Sequence, residues 1–232
     1  MNELLEIKSN LSSKLNFFLI AILPLTLLAG SLISNLTVIL ICIFFVYELI
    51  KEKKVKFISK DFNFYFLIII YFYLILNSFL IAKNDISFFK SISYLRFIIF
   101  TYAVCYYFKI FKKQIIKYWS IVFFVVSIDI VVEFLLGQNI FGFSSNYPGR
   151  VGSFTGEELK IGGFYFGFIF ITLAFLSNKK NIIFYICLIS FFVIALIIGE
   201  RSNFIKILIM YFLFFLFFLK ISYIKKLSLI LI

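Results

Sequence analysis

Two arginines lead the residues of this chain that could do chemistry. Arg201 lies in IIGERSNF (197–204), between two apolar runs, and Arg150 lies in PGRVGSFTG (148–156). A guanidinium is permanently charged and offers planar, paired donors that match phosphate oxygens. Ser202 and the amides that open the helix after Arg201 add to such an anion site. The glycines around Arg150 let backbone approach a ligand closely. Each arginine also has a plainer reading: Arg201 as an anchor paired with Glu200, Arg150 as a solvated loop residue. Two guanidinium groups on one face would suit a pyrophosphate better than either alone.

The acids are few. Asp129 and Glu133 are four residues apart and share one helix face. Carboxylates inside an apolar helix avoid lipid, and Arg96 is the expected partner; a structural set of charges is favoured over catalysis. Glu157 and Glu158 precede an apolar run. They either complement a helix dipole or, at Glu158, supply a general base for a hydroxyl. The chain has no histidine, so a base drawn from these residues is a carboxylate. Cys42, Cys105 and Cys187 are widely spaced within apolar runs, which indicates neither a zinc site nor a disulfide framework. Lys206, shortly after Arg201, is placed to snorkel outward.

The elements that position these groups are apolar runs. Hydrophobic residues make up 63% of the 232 and the mean hydropathy is +1.10, well above the roughly 45–50% apolar content of soluble domains. Eight runs approach the roughly 20 residues of a membrane span: 15–29, 36–50, 62–81, 91–108, 118–136, 161–176, 182–198 and 203–219. Pro24 should kink the first, and Leu227–Ile232 reads as the start of a ninth that is cut off. No cleavable signal peptide is expected, because Glu3 and Glu6 occupy the N-terminus and no small-residue cleavage site follows.

The net charge of +12 is clustered between the runs, a pattern of membrane topology and not of nucleic-acid binding. With a cytoplasmic N-terminus and strict alternation, sixteen lysines fall inside: Lys8, Lys14, and those of 51–60, 109–117, 179–180 and 220–226. Five basic residues (Lys83, Lys90, Arg150, Lys160 and Arg201) fall outside, as the positive-inside rule requires. The expected fold is therefore all-α, a single polytopic domain over 1–232 with about eight transmembrane helices. Its one long polar loop, Gly137–Lys160, holds five of the ten glycines and shares the outer side with Arg201.

Four stretches taken together carry a resemblance: LPLTLLAGSLISNL (23–36), SYLRFIIF (93–100), EFLLGQNIFGF (133–143) leading into GRVGSFTGEELKIGGF (149–164), and IIGERSNF (197–204). In order and topological side they resemble the O-antigen ligase and polymerase family of bacterial membrane glycosyltransferases. The resemblance implies the N-terminal portion of a larger helical protein of the bacterial inner membrane. It implies a glycan donor on an undecaprenyl pyrophosphate carrier. The acceptor would be lipid A core sugar for a ligase, or another glycan repeat for a polymerase. Metal and cofactor are implied to be absent. Arg201 matches the family's first pyrophosphate-binding arginine; Arg150 and Glu158 match positions on its large outer loop. The family's second arginine and its histidine fall outside the matched stretches. Two other readings stay open: a transporter or flippase-like carrier using Asp129, Glu133 and Arg96, and an inactive truncated product.

Overall fold

The structure, a computed structural model, describes residues 11–51, 62–82, 84–145, 147, 149–158, 160–177 and 182–218. The described residues are helical or loop, with no strand among them. The elements are α1 (Leu11–Ala21), α2 (Leu23–Leu28), α3 (Ser31–Lys51), α4 (Phe62–Asn77), a π turn (Ser78–Ala82), α5 (Asp85–Ser93), α6 (Leu95–Leu136), a 3-10 segment (Ser153–Glu158), α7 (Ile161–Ser177), α8 (Ile182–Ile197) and α9 (Arg201–Phe218). Three helical runs are long and apolar enough to cross a membrane: Ser31–Lys51, Phe62–Ile81 and Asp85–Leu136. Leu11–Ala21, Ile161–Ser177 and Ile182–Ile197 are shorter apolar helices. The basic stretches 52–60, 178–181 and 220–226, and the final run Leu227–Ile232, lie outside the described residues.

Contacts divide the chain into two compact units, Met1–Tyr118 and Trp119–Ile232. In the first, the expected span 15–29 is broken where proline dictates. Pro24 sits in the first turn of α2, after the break at Ile22, since it has no N–H to give the preceding turn. Gly30 then turns the chain into α3, against which α1 and α2 pack. Ile20, Ile41, Phe45, Tyr107 and Ile115 form the buried centre of this unit. A polar cluster joins them: Tyr107 donates to Glu48, Ser12 donates to Glu48, and the Asn16 amide donates to Tyr107 at 2.8 Å.

Two expectations fail in this region. The expected runs 62–81 and 91–108 leave 82–90 as a polar turn between them. It contains the start of α5, a nine-residue helix capped by the Asn84 side chain, which accepts from the Ile86 amide at 2.9 Å. The lysine-rich stretch 109–117 was expected as a loop between two spans. It is helical instead, interrupted only at Phe111 (φ −117°, ψ 18°). The reason lies in its spacing: Lys109, Lys112, Lys113 and Lys117 recur at helical intervals and are exposed, while Phe111 and Ile115 between them are buried. With neither glycine nor proline to stop it, an amphipathic helix is the natural outcome.

The second unit is bound by aromatic packing. Phe123 meets Tyr165 at 4.7 Å and Phe191 at 4.9 Å between ring centroids, and Trp119 meets Phe168 at 5.4 Å. Tyr165 and Tyr211 donate their hydroxyls to the carbonyls of Phe191 and Leu188. These pairs fix α7, α8 and α9 around the last part of α6. Tyr hydroxyls buried in an apolar setting need such partners.

Candidate functional site

The site is assembled at the end of the second unit where α6 stops, α7 begins, and α8 turns into α9. Asp129 and Glu133, one turn apart on α6, are 0% and 5% exposed. Each of their four oxygens takes one donor from the loop that follows. Asp129 Oδ1 accepts from the Ile140 amide at 2.9 Å and Oδ2 from Ser153 Oγ at 2.6 Å. Glu133 Oε1 accepts from the Gly152 amide at 3.1 Å and Oε2 from the Ser153 amide. The burial cost of these carboxylates is thus offset by donors of the loop. The expected partner, Arg96, belongs to the first unit. There the Cys42 thiol donates to its carbonyl, and its guanidinium stacks 4.9 Å from the Phe97 ring centroid. The donors described for Asp129 and Glu133 come from the loop, where the sequence reading names Arg96 as their partner.

Asn139 organises the near half of the loop. Its side-chain oxygen accepts from the Phe141 and Phe143 amides, and its amide donates to the Ser153 carbonyl at 2.9 Å. Ser153, 1% exposed, is held at φ 48°, a conformation that a non-glycine residue keeps only when its surroundings over-determine it. Asp129, Glu133 and Asn139 supply that determination with four hydrogen bonds to this one residue and its neighbour Gly152.

The far half of the loop rests on the turn between α8 and α9. The Val151 amide donates to the Ile198 carbonyl at 3.3 Å. Gly199 has φ 76°, and a Cβ there would collide with the Gly149 carbonyl and lie 3.4 Å from Arg150 Cα. Glycine is required at 199 on both counts. Arg150 is therefore carried against the turn that leads into Arg201. Arg201 is the first residue of α9 and not, as expected, part of a four-residue turn; Ser202 follows in the same helical turn. Arg150, Arg201 and Ser202 are all exposed.

Glu200 does not serve as the counter-ion considered for Arg201. Its Oε1 accepts from the Gly162 amide at 3.0 Å, at the start of α7, and its Oε2 accepts from the Asn203 amide. A Cβ at Gly162 would run into this carboxylate. Lys206 donates to Asn203 Oδ1. The described carboxylates of this end, Asp129, Glu133 and Glu200, are thus engaged with neutral donors. Arg150 and Arg201 are both exposed, the Arg150 backbone lying against Gly199, two residues before Arg201, and neither has an ion pair among the described residues. Glu158 closes the 3-10 segment; its side chain, like that of Glu157, lies outside the described residues.

The sequence reading does not single out Asn139, Ser153 or Asn203, and it takes Gly152 only as one of the glycines around Arg150. The glycine-and-asparagine run GQNIFGF signals a turn, and Asn139 within it was the available clue.

No family model, no curated protein and no solved structure matches the chain.

Proposed function

We propose that the chain is a polytopic inner-membrane glycosyltransferase of the O-antigen ligase and polymerase kind, with a cytoplasmic N-terminus and about eight spans. The exposed end of the second unit is its donor site. It takes the pyrophosphate of a polyprenyl-linked glycan. The observation that supports this reading is that Arg150 and Arg201 are both exposed at one end of the unit, the Arg150 backbone against the turn that leads into Arg201, where every described acid is bonded to a neutral donor. The carboxylates keep their charge, but Asp129 and Glu133 are buried and Glu200 is half-buried, whereas both guanidinium groups are exposed, so the charged groups offered to an arriving anion are cationic.

In the proposed reaction an acceptor hydroxyl, on lipid A core sugar or another glycan, attacks the anomeric carbon of the donor. The new carbon–oxygen bond forms as the bond to pyrophosphate breaks, and the electron pair leaves with the phosphate. Arg201, helped by Arg150 and Ser202, stabilises the charge that builds there. Glu158, six residues before Phe164 on the loop side of α7, takes the hydroxyl proton. The carrier reading is weaker, because Asp129 and Glu133, which it would use, are already bonded to the loop.

The test is glycan transfer in cells expressing the full-length protein. Arg201→Ala is expected to lower transfer by roughly 10²–10³-fold, the usual loss when one donor to a developing charge is removed, with membrane insertion intact. Unchanged glycan product on a gel rejects the role of Arg201.

A further inference from the structure

The first unit holds a second feature that the donor site does not use. α4 is apolar on every side and none of its side chains is buried; Phe66, Ile69, Phe72 and Tyr73 are each more than half exposed. A helix hydrophobic all round belongs in hydrocarbon. Between α4 and the start of α6 runs an open groove of about 220 Å³, where Leu67, Ile70 and Leu74 face Tyr94, Phe97 and Ile98. Two of its polar groups are engaged: Thr101 donates to the Phe97 carbonyl and Tyr71 to the Ile92 carbonyl.

At the mouth of this groove the chain changes character. α5 is amphipathic, with Ile86, Phe89 and Ile92 exposed as one apolar stripe and Lys90 on its polar side. A short helix of this kind, following one membrane-length run and opening the next, suits the headgroup layer. Arg96 follows one turn after α5. Its guanidinium stands 4.9 Å from the ring of Phe97, a groove residue, and its Nε is enclosed with no hydrogen-bond partner among the described residues. The enclosed Nε is out of a lipid's reach, but the Arg96 side chain as a whole is partly exposed, which leaves the rest of the guanidinium to meet an acceptor, and the headgroup layer supplies one in quantity: lipid phosphate.

We infer that Arg96 and the α4–α6 groove hold one anionic phospholipid of the surrounding bilayer, with its phosphate on the guanidinium and an acyl chain along the groove. This rests on the membrane reading alone and is independent of glycosyl transfer. Lys90 adds to the local attraction for a negative headgroup.

The experiment reconstitutes the protein in nanodiscs of equal parts phosphatidylglycerol and phosphatidylethanolamine. Lipid that stays with the protein after gentle detergent extraction is then counted by native mass spectrometry. The wild type should keep about one phosphatidylglycerol, enriched over phosphatidylethanolamine by about fivefold, the effect of one basic residue near the surface. Arg96→Gln should abolish the enrichment and Arg96→Lys should restore part of it. Thr101→Trp, which fills the groove without touching charge, should lower bound lipid of both kinds. Undiminished phosphatidylglycerol enrichment in Arg96→Gln, or unchanged bound lipid in Thr101→Trp, overturns the inference.

Discussion

Arg201 and Arg150 matter because of what their neighbours are doing. Glu200 is adjacent to Arg201 in sequence and was the obvious counter-ion, yet its two oxygens are taken by Gly162 and Asn203. The sequence shows which residues are adjacent but not which donor reaches a carboxylate first, so this division of labour was not legible there. It leads to a prediction about Glu200. Glu200→Gln keeps one acceptor, removes a negative charge and so makes the field at the two arginines more positive. Binding of a pyrophosphate should be retained or tightened, whereas a Glu200–Arg201 ion pair would make Glu200→Ala and Glu200→Gln equally disruptive. Isothermal titration with inorganic pyrophosphate distinguishes the two. Arg201→Lys should recover little of what Arg201→Ala loses, since an ammonium is a point charge without the paired donor geometry.

At the scale of elements, the loop 137–160 behaves as a docked structure and not as a tether. Its attachment points are Asp129 and Glu133 below and the 198–200 turn beside it. Removing Glu133 strands the Gly152 and Ser153 amides in a buried setting, at about 1–3 kcal/mol for each unsatisfied group. Glu133→Ala should therefore lower the unfolding temperature in detergent and expose the loop to limited proteolysis near Ser153. Wild-type protease resistance in that variant contradicts the latch. Gly199→Ala meets both a positive φ and the Gly149 carbonyl; it should release the far half of the loop at a cost of more than about 1 kcal/mol, read by the same protease assay. The two carboxylates on one helix face were legible from their spacing. Their partners were not, because Ile140, Gly152 and Ser153 contribute mainly backbone donors, whose direction depends on how the loop folds. The break before Pro24 was legible for the opposite reason, since proline acts locally. The lysine stretch 109–117 misled because charge clusters also mark loops; its helical spacing, visible in Lys109, Lys112, Lys113 and Lys117, was the better signal.

For the whole molecule, α6 constrains the topology. Its 42 residues would extend about 63 Å at 1.5 Å per residue if straight, about twice the roughly 30 Å hydrocarbon core. An alternating path with sixteen inside lysines therefore needs the chain to leave the membrane near Phe111, where the helical geometry lapses. Single cysteines placed at 113, 150 and 201, in a chain with Cys42, Cys105 and Cys187 replaced, should label from opposite sides: 150 and 201 from outside, 113 only after the membrane is opened. Labelling of 113 from outside rejects the proposed alternation. The most direct measurement for the account as a whole is binding of a short-chain polyprenyl pyrophosphate, such as geranyl pyrophosphate, to the purified protein, Arg150→Ala, Arg201→Ala and the double variant, with geranyl monophosphate as the comparison. Two arginines sharing one ligand should couple, by about 0.5–3 kcal/mol. Each single change should weaken pyrophosphate binding more than monophosphate binding, and the double variant should lose less than the two losses combined. A double variant that binds geranyl pyrophosphate as tightly as the wild type contradicts the account.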